Sequence, residues 1–136
     1  MFVRDVMSPT PKTLGRNDHL VVADDLMKAE RIRHLPVLDE QGRLAGIVTQ
    51  RDLFHSALVR ALGFGTTVRD KMLDSILVKE VMNEEVVTTT AATPLTEAAA
   101  VMAQRKIGCL PVVDGDTLVG ILTEGDLVAL VAASVD

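Results

Sequence analysis

The chain has 136 residues, 48% hydrophobic and only 2% aromatic, and its 14 Lys+Arg against 19 Asp+Glu leave a formal net charge of −5. This length fits one compact domain, or two very small ones sharing a core, and the apolar fraction excludes a disordered chain. A pI near 5.1 and the lack of Trp and Tyr argue against a broad phosphate-backbone footprint or a base-stacking platform, and so against nucleic acid as the main ligand. The single cysteine, Cys109, excludes an internal disulfide and any CxxC pair. The N-terminus MFVRDVMSPT does not have the apolar stretch of a signal peptide, and the longest apolar run, Leu127 to Ala133, is far short of the roughly 20 residues of a membrane span. The expectation is a soluble, cytoplasmic globular protein.

In chain order, a first short strand is followed by Asp18 at an expected helix N-cap. Leu20, Ala23 and Met27 then take the i, i+3, i+7 spacing of a buried helix face. Leu35–Asp39 and Leu44–Thr49 are short apolar runs joined by Glu40-Gln41-Gly42-Arg43, which reads as a β-hairpin. A second helix is expected from about Asp52 to Leu62, with Gly63 as its stop. From Gly63 to Leu77 runs a linker whose Val68, Met72, Leu73, Ile76 and Leu77 form an amphipathic stretch. The order then recurs. Thr93 and Pro94 are expected as N-cap and first helical residue, ahead of Leu95, Ala98 and Met102. Leu110–Asp114 and Leu118–Thr123 form a hairpin around Gly115-Asp116, and a last helix runs from Asp126 to about Ala133.

The recurrence is in register. Val6-Met7 returns as Val81-Met82, Thr13 as Thr88, Ile32 as Ile107 and Leu35-Pro36-Val37 as Leu110-Pro111-Val112, all 75 residues on. One residue is lost in the hairpin turn, so Gly46-Ile47-Val48-Thr49 and Asp52-Leu53 return as Gly120-Ile121-Leu122-Thr123 and Asp126-Leu127 at an offset of 74. The fold class expected is α+β: two pseudo-symmetric β-α-β-β-α repeats, 1–62 and 78–136, joined by the linker 63–77. A repeat of this size buries too little surface to be comfortable alone, so the two are expected to pack sheet to sheet, leaving clefts where the copies meet.

Each copy thus carries a Thr after its first segment, a Leu-Pro-Val strand, and Gly-apolar-apolar-Thr-x-x-Asp-Leu opening a helix. This pattern resembles a tandem cystathionine β-synthase (CBS) domain pair, or Bateman module, here free-standing, over essentially the whole chain from Val3 to about Ala133. The resemblance implies a regulatory, non-catalytic module for signal transduction. Its ligand would be an adenosine nucleotide (AMP, ADP or ATP), with S-adenosylmethionine or NAD as alternatives, and it would form a homodimer and act on an unidentified effector.

Thr49-Gln50-Arg51-Asp52 and Thr123-Glu124-Gly125-Asp126 are the central constellations. A Thr at a helix start stands beside free backbone N–H groups, a natural phosphate site, and a carboxylate one turn on can accept from a ribose diol. The same spacing is equally that of a capping box, in which the acid only satisfies a backbone donor. The resemblance favours Asp52 and Asp126 as ribose ligands. It further implies that one copy's Thr and Leu-Pro strand face the other copy's Thr-x-x-Asp. One site would then combine Lys12, Thr13, Arg33, His34 and Pro36 with Thr123 and Asp126, the other Thr88, Gly108, Cys109 and Pro111 with Thr49, Arg51 and Asp52. The two sites differ in charge: Lys12, Arg33 and His34 correspond to Val87, Gly108 and Cys109, while Glu124 stands against phosphate in the first.

No catalytic or metal site is expected. His19, His34 and His55 have no second ligand at i+3 or i+4, and nothing near Cys109 marks a stabilised thiolate. Leu127, Leu130 and Val131 suit either core or a dimer surface. A different class of function also fits, a structural or interaction subunit with a vestigial cleft, although two complete Thr-x-x-Asp motifs weigh against it.

Overall fold

The computed structural model describes residues 1–54 and 73–134. It is α+β, with two three-stranded sheets and helices following the repeat order. The elements are β1 (Ser8–Pro9), β2 (Leu14–Gly15), α1 (Leu20–Glu30), β3 (His34–Leu38) and β4 (Leu44–Thr49). After them come α2 (Leu95–Arg105), β5 (Cys109–Asp114), β6 (Thr117–Thr123) and α3 (Glu124–Ala132). Residues 50–54 are helical, as expected; the remainder of that helix, its stop at Gly63, and Val68 and Met72 of the linker lie outside the described residues.

The chain folds as two compact units that divide it differently from the repeats. One, here the continuous unit, is Lys12–Val86; the other, the split unit, joins Met1–Pro11 to Val87–Asp136. Backbone hydrogen bonds account for this division. In the split unit Val3 N–H donates to Thr93 O at 2.9 Å, Arg4 N–H to Ala91 O at 3.0 Å and Leu95 N–H to Met1 O at 3.0 Å. The continuous unit repeats the scheme 75 residues on, with Val78 N–H to Asp18 O at 2.8 Å, Lys79 N–H to Arg16 O at 2.9 Å and Leu20 N–H to Ile76 O at 2.7 Å. Val3 and Val78 are both fully buried, which adds apolar burial to those bonds.

This docking also corrects the expected caps. The N-caps of α1 and α2 are His19 and Pro94, neither with a side-chain cap, rather than Asp18 and Thr93. A carbonyl from the docked segment already takes the first helical N–H, so the Asp18 carboxylate turns back to Gly15 N–H at 2.8 Å, and Thr93 Oγ1 meets Thr90 Oγ1 at 2.7 Å. The helix faces are as the spacing predicts: Leu20, Ala23 and Met27, and Leu95, Ala98 and Met102, are all buried. Each contributes to the core of its own unit.

In the continuous unit the sheet runs β2-β3-β4, with β2 parallel to β3 and β3 antiparallel to β4, and Asn83 bridges Ile47 at the far edge. In the split unit the order is β1-β6-β5, both pairs antiparallel; the position equivalent to β2 is reduced to one parallel bridge, Thr89 to Val112. Both hairpins turn where glycine supplies a positive φ, +77° at Gly42 and +64° at Gly115. Asp39 pins the first turn, accepting from Arg43 and Gln41 N–H at 2.9 Å each. Those donors, Arg43 first, hold its carboxyl below the usual range. Leu73 and Ile76 of the linker are buried in the continuous unit, so this part of the amphipathic stretch is core.

The divided packing predicts a stability effect at a distance in sequence. Val3→Ala should cost about 2 kcal/mol, through lost burial and the cavity left behind. Its hydrogen-exchange signature should fall on the amides of Val87–Ser134 rather than on those of Lys12–Phe54; Met1→Ala, at a position 72% exposed, should change little.

Candidate functional site

Both Thr-x-x-Asp segments are built at the junction of a hairpin and a helix. In the continuous unit β3 and β4 pair His34 with Thr49, and Gln50 N–H donates to Arg33 O at 2.8 Å. In the split unit β5 and β6 pair Cys109 with Thr123, and Glu124 N–H donates to Gly108 O at 3.0 Å. The hairpin therefore sets residues 33–34 beside Thr49, and residues 108–109 beside Thr123.

The boxes are genuine helix caps. Asp52 N–H donates to Thr49 Oγ1 at 3.2 Å and Thr49 N–H to Asp52 Oδ2 at 3.2 Å. The matching distances are 3.2 Å from Asp126 N to Thr123 Oγ1 and 2.9 Å from Thr123 N to Asp126 Oδ2. In each case the cap occupies one carboxylate oxygen. It also fixes the side chain's rotamer, which holds the second oxygen in a set direction. Capping and ligand binding are thus compatible roles for one group.

The other candidate residues are placed as follows. Thr13 is half-buried just before β2, and Lys12 is exposed with its Nζ 4.0 Å from Glu30 Oε1. Arg33 is exposed, His34 half-buried, and Pro36 buried opposite Ile47. Arg51 is exposed on the first turn after Thr49, a cation at a helix start. Thr88 is exposed and precedes the bridging Thr89; Gly108 is half-buried, and Pro111 is buried opposite Ile121. All of residues 12–52 in this set belong to the continuous unit, and all of residues 88–126 to the split unit.

Burial pushes the Cys109 thiol up to about 12, and the Glu124 carboxylate adds to the effect. Among the described residues no group of three or more His, Cys, Asp or Glu could hold a metal ion, and no helix is long and apolar enough to cross a membrane.

Sequence reasoning missed Ser8. Its Oγ stands 3.5 Å from Asp126 Oδ1, the oxygen that the cap does not use. The repeat register holds the signal, since Ser8 and Asn83 are both polar residues following Val-Met at the same offset of 75.

The comparisons agree with this architecture. The CBS domain family model matches twice, over residues 3–58 and 78–133, and the chain belongs to that family. The CBS domain-containing protein YhcV of Bacillus subtilis is 37% identical over 125 residues, covering 92% of this chain and 81% of YhcV. The CBS domain pair of protein MJ0100, solved with 5′-methylthioadenosine and S-adenosyl-L-methionine, superposes at a TM-score of 0.78 with 29% identity, covering 97% of this chain and 96% of that one. CBSX2, solved with AMP, superposes at 0.78 with 27% identity, covering 96% of each chain.

Cys109 gives a prediction with a definite sign. At pH 8 the folded protein should be alkylated by iodoacetamide on the order of a thousandfold more slowly than the unfolded chain, since the thiolate is the reactive form. Raising the pH above about 9 ionises only the unfolded thiol, so folding stability should fall as pH climbs toward 12. Mass spectrometry of the alkylated protein and a pH series of chemical melts read the two effects.

Proposed function

We propose that the chain is a regulatory module that binds an adenosine-containing ligand and relays occupancy as a conformational change. The observation that carries this reading is the pair of preset Thr-x-x-Asp boxes in a CBS pair. Each holds a carboxylate by its own cap with one oxygen left over, beside a helix N-terminus suited to an anion. In this reading Asp52 and Asp126 accept from the ribose diol, and Thr49 and Thr123 meet the phosphate. Lys12, Thr13, Arg33, His34, Pro36 and Arg51, with Thr88, Gly108, Cys109 and Pro111, make up the rest of the ligand-facing set. A charge-assisted bond from a hydroxyl to a carboxylate is among the stronger polar contacts available to such a ligand.

An adenine nucleotide of the AMP, ADP or ATP class is the ligand proposed. Arg51 supports it, lying where the helix field and a guanidinium act together on phosphate. Glu124 at the head of α3 opposes phosphate at the other box and favours S-adenosylmethionine or another adenosine derivative without a phosphate there. The proposed role is binding and not catalysis, in a cytoplasmic setting, with an effector protein as the recipient of the signal.

A homodimer completes the proposal. Helix α3 is apolar from Leu127 to Ala132, yet Val128 and Val131 are 67% and 71% exposed, and Phe54, equivalent to Val128 in the repeat, is 62% exposed. Apolar residues left open at matching positions in both repeats suit a second copy of the chain as their cover. Val128→Asp with Val131→Asp should shift the protein from dimer to monomer in sedimentation equilibrium; an unchanged mass would refute this interface.

Thermal shift tests the ligand. At about 100 times its dissociation constant a ligand stabilises the fold by roughly 2.7 kcal/mol, on the order of 10 °C for a domain of this size. AMP, ADP, ATP, NAD and S-adenosylmethionine should be screened on wild type, Asp52→Ala and Asp126→Ala. A shift present in wild type and lost in one variant is the expected outcome and names the occupied box. No shift with any of the five would overturn the sensor reading and favour an interaction subunit.

A further inference from the structure

We infer that Ser8 is a positioning residue for Asp126, and that through it the segment Met1–Pro11 is coupled to occupancy of the Thr123/Asp126 box. This rests on the reading of Asp126 as a ribose acceptor. Ser8 reaches the carboxylate from 118 positions away in the chain, and it meets the one oxygen the cap leaves available. At 3.5 Å the contact is long for an O–H···O bond, so the hydroxyl steers the carboxylate more than it holds it.

What places Ser8 there is the seat of β1 on β6, with Ser8 opposite Ile121 and Pro9 opposite Gly120. Gly120 makes that seat possible. A Cβ at this position would lie 2.6 Å from Met7 Sδ and 3.0 Å from Ser8 O, so a side chain would force Met7 to move and press on the backbone at Ser8. The continuous unit has the same seat, where a Cβ on Gly46 would lie 2.8 Å from Met82 Sδ and 3.0 Å from Asn83 O. The polar residue it presents behaves differently. Asn83 Oδ1 accepts from Glu85 N–H at 3.0 Å, a local turn bond.

The two boxes therefore share a cap and differ, besides their charges, in whether a hydroxyl from the docked segment reaches the carboxylate. A ribose diol arriving at Asp126 Oδ1 meets the Ser8 hydroxyl on the same oxygen. Ligand and segment then occupy one acceptor together, and each changes the free energy of the other's docking by the same amount.

The test uses the full chain, with AMP and S-adenosylmethionine as separate probes, since both carry the intact diol. Ser8→Ala should weaken binding of the probe that engages Asp126 by about threefold, the low end of a net hydrogen-bond contribution, as suits a long contact. Ser8→Thr should restore it, and Asn83→Ala should leave it unchanged. The ligand-free melting temperature of Ser8→Ala should match wild type, because an exposed hydroxyl is removed; a purely structural role would lower it. Gly120→Ala, which touches no ligand, should weaken binding in the same direction. In wild type, the probe should slow hydrogen exchange at the Val6 and Met7 amides, both of which donate to Val3 O. Binding that depends on Asp126 but is unaltered in Ser8→Ala, with exchange at Val6 and Met7 unmoved, overturns this inference and leaves the sensor reading standing. Absence of binding by wild type overturns both.

Discussion

Each folded unit depends on a hydrogen-bonded splice between a helix start and a segment remote from it in the repeat order. Leu20 N–H cannot find an intrahelical partner at the first turn of α1, and Leu95 N–H has the same problem in α2. Ile76 O and Met1 O supply the missing acceptors. The splice carries Val78 and Val3 into the two cores and seats Met82 and Met7 over Gly46 and Gly120. Without it each unit would lose an edge of its sheet and a buried valine, and a helix N-terminus would be left to water. A repeat of about 60 residues has little stability to spare.

The same economy shapes the boxes. A carboxylate used only for binding would need other groups to hold it still. A carboxylate used only as a cap would leave an oxygen idle. At Asp52 and Asp126 the carboxylate accepts from the Thr backbone N–H while the Asp N–H holds the Thr hydroxyl, so a ligand bound at the other carboxylate oxygen would meet a group already oriented. This is why spacing alone could not separate the two roles: the geometry that makes a good cap also makes a preset acceptor.

Much of the fold was legible because it follows from periodicity. The register of 75 and then 74 located both helices and both hairpins, and the spacing of Leu20, Ala23 and Met27 named the buried face correctly. The split of Met1–Pro11 from Lys12 onward was not legible, since bonds such as Val3 N–H to Thr93 O are made by backbone and leave no mark in residue type. The caps failed for the same reason. Asp18 and Thr93 are good capping residues in isolation, but a docked carbonyl already filled the place they would have served. Ser8 was overlooked because a serine before proline reads as turn chemistry. Only its register with Asn83 set it apart.

The asymmetry between the two units has a physical consequence for a switch. A ligand changes a protein's conformation only by the difference in its affinity for two arrangements, so two equivalent boxes would respond alike. These boxes are not equivalent. One has Arg51 on its first helical turn and a neighbouring Asn83 committed to its own loop; the other has Glu124 at the helix head and a hydroxyl from the chain's first strand on its free oxygen. In the proposed reading, electrostatics would separate the ligands each box prefers, and the splice what each could move. The segment Met1–Pro11 is held by buried Val3, by Val6 and Met7 packed on the same core, by a two-residue strand and by backbone bonds. It is also the segment whose side chain reaches Asp126. If Asp126 takes a ligand as proposed, a signal originating at that carboxylate has a short physical route, through Ser8 and β1, to the segment on which the split unit's core depends.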